Sequence, residues 1–322
     1  MTVRYPPLPF DPELAAALEL NKNERTVLDS PAAIPQMRAN MAARQIPLSD
    51  ITGDGTITAS EVDAPGPRGP IPLVIGRPAD APADIPVLYW LHGGGMILHG
   101  HKGRDLLVLK EIALALGIGF VAADYRVAPE NPHPAPVEDC YAGLEWTVKH
   151  AAEHGFDPAR VVIGGASAGG GLAAATALLA RDRGGPALLA QLLMYPMLDD
   201  RNDTPSAHQM AGTGVWDRTA NEIGWTALLG EARGGPDVSP YAAPARATDL
   251  AGLPPTFIDA GSSETFRDEV VDYATRLWRS GVQAELHVWP GAYHGFDTTA
   301  PQAELSRLAS EARLPWLRRV LG

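Results

Sequence analysis

Short apolar runs alternate with longer helix-like segments along most of this 322-residue chain. The strand-like runs are residues 86–91, 118–123, 160–164, 190–195, 255–260 and 284–289. The helix-like segments are residues 103–115, 136–151, 168–183, 266–280 and 302–320. Such alternation predicts the α/β class, with a mostly parallel central sheet and helices on both of its faces. Because ligands of such sheets bind beyond the carboxyl ends of the strands, residues that directly follow the strands are the first candidates for a site.

One strand-like run passes through a glycine-rich turn into a helix-like segment. Residues 161–163 are β-branched and apolar, residues 165–169 read Gly-Ala-Ser-Ala-Gly, and an alanine- and leucine-rich segment follows. This order is typical of a nucleophile elbow, in which Ser167 sits on a sharp, strained turn and its hydroxyl projects. Gly165 and Gly169 allow the strand and helix backbones to approach closely. A purely structural glycine-rich connection is the alternative, and the strand-turn-helix context favours the catalytic interpretation.

A second glycine motif follows another strand-like run. Residues 92–95 read His-Gly-Gly-Gly, and consecutive glycines let backbone N–H groups turn inward without side chains in the way. In an acyl-transfer enzyme such amides bind the oxyanion of the tetrahedral intermediate, and each donor contributes roughly 3 kcal/mol of transition-state stabilisation. We expect the donors to be the amides of Gly94, Gly95 and Ala168, the residue after the serine. His92 is expected to fix the loop by a hydrogen bond.

Together these motifs resemble those of the hormone-sensitive-lipase-like family of α/β-hydrolase serine esterases, which includes bacterial carboxylesterases. Three further stretches are similar to family segments: residues 124–130 (Asp-Tyr-Arg-Val-Ala-Pro-Glu), 195–200 (Tyr-Pro-Met-Leu-Asp-Asp) and 291–296 (Gly-Ala-Tyr-His-Gly-Phe). The resemblance implies the α/β-hydrolase fold with a helical cap, no cofactor, and a catalytic triad in the chain order serine, acid, histidine.

The resemblance assigns the triad to Ser167, Glu264 and His294. His294 lies in a glycine-flanked loop after the last strand-like run, where it would take the proton from Ser167 and return it to the leaving alcohol. Glu264 occupies the position of the first aspartate in the family's Asp-Pro-Leu-Arg-Asp stretch, and a glutamate can also orient the imidazole. Asp268 and Asp259 are the alternative acids. Asp268 also suits the first turn of the helix that follows, where acidic side chains are favourable.

The chain is predicted to consist of four segments. Residues 1–50 form an N-terminal helical part of the cap, 51–201 the first half of the α/β-hydrolase core, 202–245 a second cap segment and 246–322 the second half of the core. The resemblance implies that the two cap segments pack together over the active site, where they exclude water and shape substrate choice. Decoration of the core edge is the alternative. The predicted substrate-binding residues are Met96, Tyr195 and Trp216, and further pocket candidates are Met37, Met41, Met210 and Val215.

Two stretches could suggest a metal ion. Residues 50–61 nearly spell an EF-hand calcium loop, but Pro65 and Pro67 block the exit helix that an EF-hand needs. We therefore expect a turn that leads into the first strands. His99 and His101 follow the second glycine motif, yet no carboxylate or cysteine stands at ligand spacing from them in the sequence. The sequence therefore predicts no metal site.

Composition limits the partners. The formal net charge of −12 argues against nucleic acid and against anionic membrane surfaces. Cys140 is the single cysteine, so no intramolecular disulfide can form. Neither glycine-rich stretch has the pattern of a dinucleotide or nucleoside triphosphate site. With no leader-like N-terminus and no apolar run of membrane-spanning length, a cytoplasmic protein is expected. A homodimer is common in the family that the chain resembles, and the sequence leaves the oligomeric state open.

These observations predict a serine carboxylesterase that acts on small-molecule esters through an acyl-enzyme intermediate, and the resemblance implies short- to medium-chain acyl groups. The triad also serves amidases, lactonases and acyltransferases, so a related acyl-transfer reaction is one alternative. A non-catalytic ligand-binding protein on the same scaffold is the other. Such proteins lose a member of the triad, whereas all three positions are filled here.

Overall fold

A central β-sheet carries the functional motifs of this protein. The computed structural model describes residues 5–20 and 27–322, so residues 1–4 and 21–26 of the predicted N-terminal cap segment lie outside the described residues. Within these ranges the strands are β1 (Ile57–Gly66), β2 (Gly69–Pro78), β3 (Ile85–Leu91), β4 (Gly119–Ala123), β5 (Phe156–Ala166), β6 (Ala190–Met194), β7 (Thr256–Gly261) and β8 (Ala284–Trp289). They form one sheet in the order β1-β2-β4-β3-β5-β6-β7-β8. β1 pairs antiparallel with β2, and β2 with β4, whereas all other neighbours are parallel.

Helices cover both faces of the sheet. In the described part of the chain they are α1 (Pro12–Leu20), α2 (Ile34–Ala42), α3 (Leu48–Thr52), α4 (Asp105–Leu116), α5 (Ala135–Lys149), α6 (Ala168–Arg183), α7 (Pro205–Gln209), α8 (Arg218–Leu229), α9 (Arg267–Arg279), α10 (Phe296–Thr299) and α11 (Glu304–Leu321). α5, α6 and α9 contribute to the apolar cluster on one face, and α4 and α11 to the cluster on the other. None of these described helices has the length and apolar character needed to cross a membrane.

The apolar runs of the sequence reflect strands that are buried on both faces. In β3, Val87, Tyr89 and Leu91 belong to one apolar cluster, whereas Leu88 and Trp90 belong to the other. Successive side chains of a strand point to opposite faces, so a strand covered on both sides must be apolar at every position. Each fully buried large apolar side chain contributes about 1.5–3 kcal/mol to folding, so these strands are strongly held in register.

The predicted fold class is confirmed: the protein is α/β, with a mostly parallel sheet and helices on both faces. The six predicted strands correspond to β3 to β8, and the five predicted helical segments to α4, α5, α6, α9 and α11. β5 is longer at both ends than the predicted run 160–164: Phe156 pairs with Ile85 of β3, and a register shift separates this pair from the pair of Val161 with Val87.

The stretch that resembles an EF-hand loop leads from α3 through a turn into β1. Within it, Oδ1 of Asp54 accepts a hydrogen bond from N of Thr56 at 3.0 Å, and Oδ2 accepts from Nζ of Lys110 at 2.6 Å. These contacts lower the pKa of the exposed Asp54 carboxyl, the hydrogen bond from Lys110 being the largest cause. Instead of the helix that would follow a calcium loop, β1 pairs with β2.

The predicted N-terminal cap segment contacts the loops at the carboxyl ends of the strands. The guanidinium of Arg38 in α2 donates to O of Ile97 at 2.8 Å and to O of Ala128 at 2.7 Å. N of Asp11, just before α1, donates to O of Gly291 at 2.9 Å. This segment therefore packs on the loop that follows the second glycine motif and on the loop that carries the predicted catalytic histidine.

The parallel strands bring the predicted catalytic residues to one edge of the sheet. β5 ends directly before Ser167, β7 ends three residues before Glu264, and β8 leads into the loop of His294. β3 leads into residues 92–95. The site therefore lies at the carboxyl edge of the sheet, where open α/β sheets bind their ligands.

Candidate active site

Ser167 occupies a strained turn between β5 and α6. Its φ is 58° and its ψ is −123°, a conformation that non-glycine residues rarely adopt and that costs about 1–3 kcal/mol. Two backbone hydrogen bonds hold it: N of Ser167 donates to O of Met194 at 2.9 Å, and O of Ser167 accepts from N of Met197 at 3.0 Å. The strain is thus supported by the end of β6 and the residues after it. The serine is 8% exposed.

Close backbone contacts require the two glycines that flank the elbow. A Cβ atom on Gly165 would lie 2.3 Å from O of Gly169, and a Cβ atom on Gly169 would lie 1.9 Å from O of Leu91. Both distances are shorter than any ordinary van der Waals contact. A larger residue would therefore push α6 away from β3 and β5, and with it the turn that holds Ser167.

We expect Gly169→Ala to lower the free energy of unfolding by about 3 kcal/mol, because the added methyl group meets backbone that cannot move alone. Gly184→Ala is the matched control. Gly184 ends the same helix with φ of 61°, and a Cβ atom there would meet nothing within 4 Å. The control should therefore lose only the left-handed backbone penalty of about 1 kcal/mol. Urea unfolding of both variants measures the difference, and equal losses would contradict this account.

A hydrogen-bonded chain joins the serine, a histidine and a glutamate. Nε2 of His294 lies 2.8 Å from Oγ of Ser167, and Nδ1 of His294 lies 2.6 Å from Oε2 of Glu264. The other glutamate oxygen, Oε1, accepts a hydrogen bond from N of Gly261 at 2.6 Å. Burial raises the pKa of Glu264, and the hydrogen bond from His294 counteracts part of that rise. The arrangement can accept a proton from the serine hydroxyl and stabilise the imidazolium that results.

Two aromatic side chains fix the plane of the imidazole. The ring of Tyr195 meets the ring of His294 edge to face at a centroid distance of 5.0 Å, and the ring of Phe266 does so at 4.9 Å. Edge-to-face contacts of this kind are favourable for aromatic pairs. The imidazole therefore has little freedom to rotate away from Ser167.

The two alternative acids have other partners. Oδ2 of Asp268 accepts a hydrogen bond from N of Ser206 at 2.7 Å, which ties the second predicted cap segment to α9. Asp259 pairs with Arg313, whose Nη2 lies 2.8 Å from its Oδ2. The carboxylate that the structure places on Nδ1 of His294 is that of Glu264.

The second glycine motif turns beside the serine. Gly94 and Gly95 have φ values of 117° and 61°, which favour glycine. A Cβ atom on Gly93 would lie 3.4 Å from Cβ of Ser167, so the loop packs directly on the elbow. Among the described residues, none accepts a hydrogen bond from the backbone N–H groups of Gly94, Gly95 or Ala168. These three amides are therefore available to a bound oxyanion.

His92 holds the second glycine motif in place through contacts with Tyr125 and Gly93. Its ring stacks on that of Tyr125 at 4.2 Å with an interplanar angle of 8°, and the Tyr125 hydroxyl donates to O of His92 at 2.8 Å. Nδ1 of His92 lies 2.7 Å from O of Gly93. These contacts agree with the structural role expected for His92.

Three histidines surround one carboxylate that the sequence did not associate with them. Oδ1 of Asp124 lies 3.4 Å from Nε2 of His92, 3.2 Å from Nδ1 of His99 and 3.1 Å from Nδ1 of His101. Burial alone would raise the pKa of Asp124, but the three imidazoles outweigh it and hold that pKa well below its usual range. The nitrogens converge on the oxygen itself, and in the described chain no group of three or more His, Cys, Asp or Glu side chains is placed to hold a metal ion.

The predicted substrate-binding residues differ in their surroundings. Met96 has no exposed surface, and its carbonyl accepts a hydrogen bond from N of Ala128 at 2.9 Å. The Tyr195 hydroxyl donates to Oδ1 of Asp297 at 2.8 Å. The Trp216 indole packs on the second glycine motif, since a Cβ atom on Gly95 would lie 2.2 Å from its Cη2. Of the further pocket candidates, Met210 is buried and the partly buried ones are Met37, Met41 and Val215.

Comparison with known proteins agrees with this architecture. Residues 88–298 match a protein family described by the alpha/beta hydrolase fold. The chain is similar to carboxylesterase NlhH of Mycobacterium tuberculosis, with 37% identity over 257 residues that cover 78% of this chain and 79% of that protein. It is also similar to esterase LipI of the same organism, with 32% identity over 317 residues that cover 97% and 95% of the two chains.

Solved structures give the same result. A bacterial heroin esterase superposes with a TM-score of 0.89 and 39% identity, covering 97% of this chain and 98% of its own. Esterase LipW from Mycobacterium marinum superposes with a TM-score of 0.87 and 34% identity, covering 98% of both chains. The family match, the near full-length similarity and the motifs agree, and the chain belongs to the hormone-sensitive-lipase-like family of α/β-hydrolases, as its sequence predicted.

Proposed function

We propose that this protein is a serine carboxylesterase that hydrolyses short- to medium-chain acyl esters through the triad Ser167, His294 and Glu264. The observation that carries the proposal is the hydrogen-bonded chain of 2.8 Å and 2.6 Å between these side chains, beside a loop with unengaged backbone amides. The names of the similar proteins, carboxylesterase, esterase and heroin esterase, support ester hydrolysis as the reaction class.

The proposed reaction has two halves. Oγ of Ser167 attacks the ester carbonyl carbon while Nε2 of His294 takes the hydroxyl proton, and the carbonyl oxygen becomes an oxyanion held by the backbone amides. As the C–O bond to the alcohol breaks, His294 gives that proton to the leaving alcohol and the acyl-enzyme remains. Water then attacks the acyl carbon, His294 takes its proton, and returning that proton to Oγ of Ser167 releases the carboxylic acid. Glu264 holds the imidazole in the required tautomer throughout.

Amide and lactone hydrolysis are the competing reactions, because the same triad serves them. We would compare kcat/KM for a series of p-nitrophenyl esters of increasing acyl length with that for the matched p-nitroanilides and for an aliphatic lactone. The proposal predicts that the esters are preferred and that the preference peaks at a short acyl chain. A larger kcat/KM for the anilides or the lactone would overturn it.

We propose that Trp216 sets the limit on acyl length, since its indole packs on Gly95 of the second glycine motif. Trp216→Ala removes this ring and should raise the ratio of kcat/KM for long over short acyl chains by roughly 10-fold, because each extra methylene accommodated is worth 1–3 kcal/mol. Trp278→Ala is the matched control, since Trp278 is 47% exposed on α9. An unchanged chain-length profile in Trp216→Ala would show that another group bounds the acyl site.

A further inference from the structure

A buried ion-pair network lies behind the imidazole of His294. Arg313 in α11 is 2% exposed, and its guanidinium bridges two buried carboxylates. Nη1 of Arg313 donates to Oδ2 of Asp297 at 2.6 Å, and Nη2 donates to Oδ2 of Asp259 at 2.8 Å. Each buried ion loses several kcal/mol of hydration, which only good partners offset. Removing one member therefore leaves the others uncompensated in a dry environment.

One arm of this network ends on the histidine. Asp297 lies three residues after His294, at the start of α10. Its Oδ1 accepts the hydroxyl hydrogen of Tyr195 at 2.8 Å, and the Tyr195 ring meets the imidazole edge to face at 5.0 Å. Arg313 thus holds Asp297, and Asp297 holds both the loop of His294 and the ring that borders it.

The other arm ends near the glutamate. Asp259 belongs to β7, two residues before Gly261, whose N–H donates to Oε1 of Glu264 at 2.6 Å. Trp289 at the end of β8 also donates to Oδ2 of Asp259, from Nε1 at 3.2 Å. A single guanidinium therefore connects the strand before the Glu264 loop with the helix after the His294 loop.

We propose that Arg313 is a positioning residue for the reaction: through Asp297 it fixes the loop that carries His294 and the Tyr195 ring that borders the imidazole. This role rests on the proposed function, because it matters only if His294 acts as the base. Arg313 touches neither the serine nor the glutamate, and its effect is exerted through His294.

The first test compares Arg313→Met and Arg313→Lys with the wild type in ester hydrolysis. We expect Arg313→Met to lower kcat about 10- to 100-fold, because a displaced base costs rate rather than substrate affinity, so that KM changes by less than about threefold. Arg313→Lys keeps a cation that can pair with Asp297 and should recover part of the lost kcat.

Arg246→Met is the matched control. Nε of Arg246 pairs with Oδ1 of Asp200 at 2.7 Å, and the Asp200 side chain is fully buried, so this variant also breaks a buried Arg–Asp pair. A structural role alone would give both variants the same loss of stability and an unchanged kcat in the folded enzyme. If Arg313→Met behaved in this way, the proposal would be overturned.

Asp297→Asn keeps the proposal testable if Arg313→Met does not fold. It leaves Arg313 paired with Asp259. We expect kcat to fall with little change in KM, because the amide binds Arg313 less tightly than the carboxylate. A wild-type kcat in this variant would overturn the proposal.

A substrate-independent readout separates this inference from the proposed function. The ring signals of His294 can be compared by NMR in the wild type and in Asp297→Asn without any ester present. Displaced His294 ring signals in the variant support the network's role even if no tested ester is hydrolysed, which would count against the proposed function alone. Hydrolysis by the wild type, with His294 ring signals unchanged in the variant, would instead refute the role of the network alone.

Discussion

Replacing Ser167 by alanine is expected to lower kcat for ester hydrolysis by about ten thousand- to a million-fold, because the nucleophile and the group that activates it act as one unit. The residual rate would come from substrate binding and from the oxyanion amides, which the substitution leaves in place. Folding should be retained, because the backbone hydrogen bonds of Ser167 to Met194 and Met197 do not involve the side chain.

The measurement is kcat with p-nitrophenyl acetate for the wild type, Ser167→Ala and a control serine variant. Ser239→Ala serves as the control, since the Ser239 hydroxyl accepts a hydrogen bond from N of Tyr241, at 3.2 Å, within its own loop. Unfolding curves of all three proteins check that activity is compared between folded molecules. Retention of more than about one hundredth of the wild-type kcat in Ser167→Ala would exclude this serine as the nucleophile.

Replacing Glu264 by glutamine is expected to lower kcat by about a thousand- to ten thousand-fold, while Asp268→Asn should stay within about tenfold of the wild type. The glutamine can still contact Nδ1 of His294 but carries no charge to stabilise the imidazolium, and it can hold the wrong tautomer. Asp268 instead accepts a hydrogen bond from N of Ser206, so its loss should loosen the second predicted cap segment, residues 202–245, and leave the base in place.

The same pair of variants discriminates between the two candidate acids. Steady-state kcat and KM should show a loss in kcat for Glu264→Gln and mainly a change in KM for Asp268→Asn. Wild-type activity in Glu264→Gln, combined with inactivity in Asp268→Asn, would move the acid to Asp268 and contradict the triad proposed here.

The strands were predictable where burial on both faces made them continuously apolar, as in β3. The bounds of β1 were not predictable in this way. β1 lies at the sheet edge, with polar side chains on its open face and Pro65 within it. A proline is tolerated in an edge strand. When only the sequence is known, however, a proline argues against assigning a strand.

The elbow and the histidine loop were predictable because strand, turn and glycine pattern are local. The choice among Glu264, Asp268 and Asp259 was not local. Asp259 lies in β7 and the other two follow it, and only their partners in space distinguish the three: His294 for Glu264, Ser206 for Asp268 and Arg313 for Asp259.

The contacts that support the site were the least visible in the sequence. Asp124 lies far from His99 and His101 along the chain and meets them only because β4 ends beside the loop after β3. Arg313 sits in an amphipathic helix with no motif around it. Within this network of Arg313, Asp259 and Asp297, only Asp297 lies close to the histidine motif in the sequence.

The most direct test of the proposed reaction is to quench turnover of p-nitrophenyl acetate with acid and to map the acylated residue by peptide mass spectrometry. We expect a single acetyl group on Ser167, formed together with about one equivalent of p-nitrophenolate per enzyme before the steady state. Turnover with no acyl group on Ser167, or with the acetyl group on another residue, would contradict it.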